Sequence, residues 1–212
     1  STVFNESSRD QDFRVESNGN ANMIFVDGGN DVVGIGTDSP NSYNDYANNL
    51  VVYENGNAGI TIVAGTSSNS SLYLADGTSG NEQYRGWLDY LHASDALRLA
   101  TAGTERVRIT SDGDFLVSKT SLNNNTEGVE LKDIGQGIFT RASGTVVVVT
   151  RNSNDGDLMK FNQDGSQEGV ISVSGSTVSY NGFTGSHWSR LADNSKPTIL
   201  RGTIMDSIDE MC

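Results

Sequence analysis

The amino-acid sequence predicts an all-β fold of short strands joined by Gly- and Asn-rich turns. Apolar and polar side chains alternate at a period of two along most of the chain, which is the spacing of a strand with one buried face. Turn dipeptides such as Asn18-Gly19 and Asp112-Gly113 interrupt these strips, because Asn, Asp and Gly tolerate the positive φ angles of tight hairpins. Only 35% of the residues are hydrophobic, so a large core within a single chain is not expected.

Strand-like strips follow one another through the first part of the chain. Each has apolar side chains at alternate positions and ends at a cluster of Gly, Asn, Asp or Ser, residues that interrupt strands. Little room is left between the strips for helices of ordinary length. The strips in this part are residues 12–16, 22–26, 32–35, 97–99, 107–109 and 115–117.

Two stretches depart from the strand pattern. The aromatic-rich residues 83–96 fit either a pair of strands or a short helical insertion. Residues 196–211 have apolar side chains at spacings of three and four, which predicts a short helical C-terminal segment with Pro197 near its first turn. This change of period puts a domain boundary near residue 190. Elsewhere the second part of the chain continues the pattern, with strands predicted at 128–132, 137–141, 145–150, 158–162, 169–174 and 177–180.

The low apolar content bears on how a core is closed. Together with a formal net charge of −13, it makes disorder an alternative, but the regular alternation of the strips argues against disorder. Loose repeats of strip and turn fit a single-chain β-solenoid as well as a fibre of three chains. The composition favours an elongated homotrimeric fibre of β-prism or interwoven β-helix modules, because each chain then supplies only a third of every core layer.

Composition also argues against several classes of function. The acidic balance, with a pI near 4.4, disfavours binding to nucleic acid or to an anionic bilayer, since both attract Lys and Arg. No run approaches the ~20 apolar residues of a membrane span, and the first residues lack the features of a secretory signal. The single cysteine, Cys212, excludes internal disulfides and a Cys-based zinc site.

Three stretches carry a resemblance to a known family. Residues 32–40 read VVGIGTDSP and follow strand-like segments at 13–19 and 23–27. Residues 103–113 read GTERVRITSDG, and residues 169–181 read GVISVSGSTVSYN. These elements, in this order, resemble the tail-fibre and tail-spike proteins of bacteriophages.

The stretch after residue 181 resembles the entry to a self-cleaving intramolecular chaperone. Residues 182–191 read GFTGSHWSRL and are similar to the chaperone entry of phage neck-appendage proteins, although they depart from the Ser-Asp start of the endosialidase type. Such chaperones register three chains during assembly and are then released by cleavage. The resemblance implies fibre-shaft modules at 1–122, a distal β-rich module at 123–181 and a chaperone junction at 182–212.

The resemblance implies a structural virion protein that attaches the phage to its host. Its expected partners are two copies of itself, other tail or virion proteins, and a glycan or protein receptor on the host surface; its expected location is the virion tail. No cofactor is expected, and the only enzymatic step implied is autoproteolytic release of the chaperone. Two alternatives stay open: a spike that degrades polysaccharide with paired carboxylates, and a trimeric adhesin of a bacterial surface.

Two groups of residues are candidate functional sites. Ser186 and His187 lie where the chaperone would be released, since a hydroxyl can attack a nearby peptide when a base removes its proton. A polar loop at a domain junction is the alternative there. Tyr84, Trp87 and Tyr90 form a candidate receptor patch, because flat aromatic rings suit the faces of sugars. Packing in the core of the trimer is the competing interpretation of these aromatics.

Other motifs have simpler explanations. Residues 34–36 (Gly-Ile-Gly) lack the third glycine of a dinucleotide loop and precede Pro40, so a turn at a strand end is expected. The clusters 27–31 and 152–157 offer oxygen ligands for calcium, but turns explain both, and no metal site is predicted. His92 is expected to pack within the aromatic stretch.

Overall fold

The structure, a computed structural model, describes residues 4–5 and 7–182. Over that part of the chain it is mostly β, with fourteen strands in three sheets and three short 3-10 helices. No helix of seven or more residues occurs among the described residues. The predicted all-β class is confirmed, whereas the predicted helical segment at 196–211 lies outside the described residues.

The chain divides into two compact units, Ser1–Ala142 and Ser143–Cys212. The first unit holds a four-stranded and a seven-stranded sheet, and the second holds a three-stranded sheet. In the first unit, strands on the two sides of residue 122 pair with each other, so the larger sheet continues past that position. The division of a fibre into modules 1–122, 123–181 and 182–212 stays a prediction from the resemblance.

The four-stranded sheet follows the order of the chain. Its strands are β1 (Phe13–Val15), β2 (Ile24–Asp27), β3 (Val32–Ile35) and β4 (Leu50–Val52). The first three are antiparallel, whereas β3 and β4 are parallel. A 3-10 helix, Pro40–Ser42, lies in the connection between the two parallel strands. Its proline is in the first turn, where backbone N–H groups have no partner within the helix, so the absence of an N–H costs no hydrogen bond.

The end of β3 depends on two glycines of the VGIGT stretch. Gly36 has a φ of +83°, and a Cβ atom there would collide with the carbonyl oxygen of Tyr53. A Cβ atom at Gly34 would collide with the carbonyl oxygen of Thr37. The chain can approach this closely only without side chains, and the Tyr53 N–H then donates to the Ile35 carbonyl oxygen at 2.8 Å. The predicted turn at the end of this strand is confirmed.

The seven-stranded sheet is a meander in which every strand pairs antiparallel with its neighbours in sequence. Its strands are β5 (Asn69–Leu74), β6 (Gly86–Leu91), β7 (Ala96–Thr101), β8 (Thr104–Ile109), β9 (Phe115–Val117), β10 (Gly128–Leu131) and β11 (Gly137–Thr140). Two 3-10 helices, Gly80–Tyr84 and His92–Ser94, flank β6. The aromatic-rich stretch 83–96 therefore holds one strand, β6, between two short 3-10 helices, and only its last residue begins β7. It is neither a complete strand pair nor a helical insertion of ordinary length.

The three-stranded sheet of the second unit is also an antiparallel meander. Its strands are β12 (Gly156–Gln163), β13 (Ser166–Ser174) and β14 (Thr177–Asn181). Residues 145–150, which the sequence predicts as a strand, belong to no sheet. That prediction is wrong: four consecutive valines make a strand only where both of its faces are covered, and here all four are exposed.

Gly36→Ala is expected to destabilise the protein by about 2 kcal/mol, because alanine must adopt a left-handed φ there and its Cβ must displace the Tyr53 carbonyl. Gly19→Ala is the matched control, since no atom lies within 4 Å of the position that a Cβ would occupy at Gly19. Urea unfolding at equal protein concentration measures both changes. Equal midpoints for the two variants would contradict this account of the VGIGT turn.

Candidate functional site

The paired positions of the seven-stranded sheet carry charged side chains on one face only. Residues directly opposite in neighbouring strands share a face, and successive residues alternate between faces. The observed register thus defines an apolar face on which no paired position is charged, and its large side chains are all exposed or half-buried. These residues are Leu72, Leu74, Leu88, Tyr90, Leu97, Leu99, Val107, Ile109, Phe115, Val117, Val129, Leu131 and Phe139.

No element of the described part of the chain covers this apolar face. The extensive contacts among the described residues join neighbouring strands of one sheet, or a strand and an adjoining 3-10 helix. Leu99, in the interior strand β7, is consequently 44% exposed. Leucines in the middle of a sheet are normally removed from water, so this exposure is unusual for an interior strand.

The other two sheets also leave one apolar face exposed or half-buried. Their registers bring apolar side chains to one face, and these side chains are again exposed or half-buried. On the opposite face of the four-stranded sheet, Phe25, Val32 and Val51 are buried. The apolar faces consist of Phe13, Val15, Ile24, Val26, Val33, Ile35, Leu50 and Val52 in the four-stranded sheet, and of Met159, Phe161, Ile171, Val173, Val178 and Tyr180 in the three-stranded sheet.

The opposite face of the seven-stranded sheet, the network face, combines paired charges with apolar side chains, of which Leu116 is fully buried. Arg98 donates two hydrogen bonds to Asp89, from Nε to Oδ1 at 2.8 Å and from Nη2 to Oδ2 at 2.7 Å. Arg108 donates in the same forked way to Glu105, at 2.7 and 2.9 Å. Arg98 Nη1 lies 3.6 Å from Glu105 Oε2 and joins the two pairs. Because Asp89 is only 3% exposed, its charge depends on Arg98 for compensation.

A second ion pair fixes the connection between β9 and β10. Lys119 and Glu130 are 5% and 0% exposed, and the ammonium group donates a hydrogen bond to Glu130 Oε1. The Asn123 N–H donates to the same oxygen at 2.8 Å, and Lys119 also donates to the Asn123 carbonyl oxygen at 2.6 Å. The hydrogen bond from Lys119, followed by that from Asn123, lowers the pKa of Glu130 below its ordinary value of 4.5. Glu130 therefore stays ionised while it holds the loop.

The structure brings two of the three predicted receptor residues to one region. Tyr84 ends the 3-10 helix that precedes β6, and its ring centroid lies 6.4 Å from that of Tyr73 in β5. Trp87 is the direct cross-strand partner of Tyr73 on the network face. The guanidinium carbon of Arg98 lies 5.2 Å from the Trp87 ring centroid, which is within the range of a cation–π contact. Tyr84 and Trp87 therefore belong to one aromatic group that also includes Tyr73.

Tyr90, the third predicted receptor residue, lies on the apolar face, across the sheet from Trp87. Its hydroxyl donates to Asp95 Oδ1 at 3.3 Å, and its ring meets the His92 ring edge-on at 5.1 Å. Desolvation, followed by the charge of Asp95, raises the pKa of Tyr90. His92 Nε2 lies 3.0 Å from Ser70 Oγ, so the expected packing of this histidine is confirmed. The position of Tyr90 fits packing in an oligomer core better than contact with a receptor.

Sequence reasoning missed Tyr73. The ring is 55% exposed and belongs to the network face, whereas its neighbours Leu72 and Leu74 belong to the apolar face. That alternation is a usable signal for an outward-facing aromatic. The alternating pattern covers only a few residues, because the preceding residues 69–71 are Asn-Ser-Ser and show no apolar pattern at the start of the strand.

A shallow polar depression of about 500 Å³ lies beside Tyr84. The loop that forms it is held by internal hydrogen bonds: the Asp76 N–H donates to the Glu82 carbonyl oxygen at 3.0 Å, and Ser79 Oγ donates to Glu82 Oε2 at 3.1 Å. The Tyr84 hydroxyl donates to Asn81 Oδ1 at 2.8 Å and so connects the aromatic group to the depression. The lining residues are Asp76, Ser79, Asn81, Glu82 and Arg85.

The cluster at 27–31 uses its carboxylate to close a turn. Asp27 Oδ1 accepts hydrogen bonds from the backbone N–H groups of Gly29 at 3.0 Å and Asn30 at 2.9 Å. A side-chain hydrogen bond from Asn30, more than these backbone bonds, lowers the pKa of Asp27. Within residues 4–5 and 7–182, no three His, Cys, Asp or Glu side chains are grouped to hold a metal ion.

Ser186 and His187, the candidate cleavage residues, lie outside the described residues, and their role stays a prediction. Over the described part of the chain, no helix has the length and apolar character needed to cross a membrane.

The chain was compared with protein-family models, curated proteins and solved structures. No family model matches it, and no curated protein or solved structure is significantly similar to it.

Arg98→Gln is expected to lower the free energy of unfolding by about 3 kcal/mol, because it leaves Asp89 buried without its charged partner. Arg14→Gln is the matched control. Arg14 pairs with Glu16 at 2.5 Å, but both side chains are about half exposed, so a loss of about 0.5 kcal/mol or less is expected there. Urea unfolding at pH 7 compares the two variants. A loss in Arg98→Gln as small as that of the control would show that the network contributes no more than a surface pair.

Acid is expected to weaken the pair of Lys119 and Glu130. Because the pKa of Glu130 is lower in the folded than in the unfolded chain, its contribution to stability is present above pH 4.5 and is lost as the pH falls from there through the lowered value. Glu130→Gln should remove this part of the pH dependence. Urea midpoints of both proteins at neutral pH and near pH 3 measure it. An identical acid-induced shift in both would assign the dependence to other carboxylates.

Proposed function

We propose that this chain is part of a homotrimeric tail fibre or tail spike of a bacteriophage and that it attaches the virion to the host surface. Its proposed place is the virion tail, together with two identical chains and other virion proteins. One observation carries the proposal: each of the three sheets exposes an apolar face in the isolated chain. Such faces are stable in water only when another surface covers them.

Identical chains are the simplest cover for these faces. A closed symmetric assembly provides every apolar face with an equivalent one. The stretches 32–40, 103–113 and 169–181, which resemble phage tail fibres, favour three copies over two. In a three-sided core each sheet would form one wall through its apolar face.

The free energy available from this burial is large. Completing the burial of a Leu, Ile or Phe side chain that is about half exposed contributes on the order of 1 kcal/mol. The apolar face of the seven-stranded sheet alone would therefore contribute on the order of 10 kcal/mol per chain. That matches the whole stability of an ordinary domain, about 5–15 kcal/mol. Assembly of this kind would account for a chain that leaves its apolar faces open.

Attachment would follow from trimer formation through avidity. A trimer presents three copies of every outward surface to the same cell. Contacts that are individually too weak to hold the virion then combine to give firm binding. Glycan cleavage is less well supported than binding. Asp89 and Glu105, two carboxylates of the network face, are each held by an arginine, whereas glycoside hydrolysis needs a carboxyl group that can donate a proton.

Leu99→Asp is expected to abolish the trimer, because it puts a charge inside the apolar face, where an unpaired carboxylate is costly. Tyr46→Asp adds the same charge at a side chain that is 98% exposed and outside the sheets, and it should leave the trimer intact. Light scattering should give about 68 kDa, three times the 22.6 kDa of one chain, for the wild type and the control. Unheated samples of both should also resist SDS.

A stable, folded wild-type monomer would overturn the proposal, whatever the variants do. Attachment is tested separately with a fluorescent wild-type trimer and a panel of bacterial cells. Binding without release of sugars supports a fibre, whereas turnover of the cell-surface polysaccharide would support the alternative of a degrading spike.

A further inference from the structure

We infer that Tyr73 and Tyr84, together with the polar depression beside them, form a binding site for an uncharged glycan. The inference rests on the proposed function, since it names the chemical class of receptor that the fibre would bind. Three features of this region carry it: the geometry of the two rings, the composition of the depression, and the rigidity of the segment that holds both.

The two tyrosines form an open wedge instead of a closed stack. Their ring centroids are 6.4 Å apart and their planes are inclined by 50°, so the two rings do not stack face to face. Tyr73 is more than half exposed, and Trp87 lies opposite it in the adjacent strand. A pyranose ring has a flat face of C–H groups that an aromatic face can cover while the hydroxyl groups remain accessible. The wedge therefore offers an apolar platform at the surface of the sheet.

The depression beside the platform provides the polar contacts that a sugar needs. Its lining combines an amide (Asn81), a hydroxyl (Ser79), two carboxylates (Asp76 and Glu82) and one guanidinium (Arg85). Sugar hydroxyls both donate and accept hydrogen bonds, and this set contains donors and acceptors for both roles. A few convergent polar groups next to an apolar surface are typical of small-molecule sites.

The charges of the depression select against acidic sugars. Its two carboxylates outnumber its single guanidinium, and Arg85 Nε already lies 3.4 Å from Asp76 Oδ2. The lining therefore has a net negative charge, which repels the carboxylate of a uronic or sialic acid. Neutral hexoses and N-acetylhexosamines are the favoured ligands.

The segment is held in place before any ligand arrives. The Asp76 N–H and the Glu82 carbonyl oxygen close the loop at 3.0 Å, and the Gly103 N–H donates to the Arg85 carbonyl oxygen at 3.0 Å. The turn between β7 and β8 is thereby tied to the residue that follows Tyr84. Because the loop is already folded, binding a ligand requires little further ordering, and the entropic cost that opposes binding is smaller.

The site also lies on the side where a receptor would find it. Tyr73 belongs to the network face, whereas Leu72 and Leu74 of the same strand belong to the apolar face. In the proposed trimer the apolar faces would form the core, so the wedge would be displayed outward three times per fibre. Three weak glycan sites per trimer are what avidity requires.

Saturation-transfer NMR on the intact trimer tests the site, because it detects weak binding from the ligand signals. The probes are the methyl glycosides of glucose, galactose and N-acetylglucosamine, with methyl glucuronide as the acidic comparison. At least one neutral glycoside should show transfer, and the glucuronide should show less. Tyr73→Ala and Tyr84→Ala should each weaken that binding by about tenfold. Tyr46→Ala, which removes an exposed tyrosine elsewhere, should leave it unchanged.

The possible outcomes separate this site from the proposed function. Transfer that survives in both Tyr73→Ala and Tyr84→Ala, or no transfer to any neutral glycoside, overturns the site. Preferential binding of the glucuronide also overturns it, since the charge argument would then be wrong. Light scattering on each variant verifies that the trimer persists. If the variants still attach to cells as trimers, attachment stands and only the site fails, whereas a wild type that forms no trimer removes the proposed function itself.

Discussion

The exclusion of water from one face of each sheet is the interaction on which the rest of this structure depends. A sheet of a few strands is only marginally stable in water unless its apolar face is covered. Here each of the three sheets leaves one apolar face exposed or half-buried, and the described part of the chain provides no second layer to cover it. Backbone hydrogen bonds set the shape of each sheet, and in the proposed trimer the neighbouring chains would cover its apolar face.

The network face complements this arrangement by fixing the register of the strands. Asp89 and Arg98 are direct cross-strand partners, so their forked hydrogen bonds form only in the observed alignment. A slip of one residue would exchange the faces of a strand, moving Arg98 to the apolar face and Leu99 to the network face. The polar pairs therefore oppose misalignment, and they do so without a second sheet or a helix packed against them.

Local sequence patterns predict the strands and the faces on which their side chains lie. They do not predict which residues of different strands lie close together, because that depends on long-range pairing. Trp87 and Tyr90 are three residues apart, which puts them on one side of a helix but on opposite faces of a strand, so their separation follows once the stretch is known to be β6. The proximity of Tyr73 and Tyr84 is different. It arises from the pairing of β5 with β6 across a loop, and no local period encodes it.

The meander of the seven-stranded sheet has a kinetic consequence. Each strand hydrogen-bonds only to strands adjacent in sequence, so the sheet closes through short loops, which is the topology of faster folding. Its formation is unimolecular, whereas assembly of the proposed trimer would depend on concentration. A newly made chain of such a fibre would thus pass through a partly folded stage with exposed apolar surface. That stage would last longer at a lower concentration of partner chains, and aggregation would compete with assembly during it.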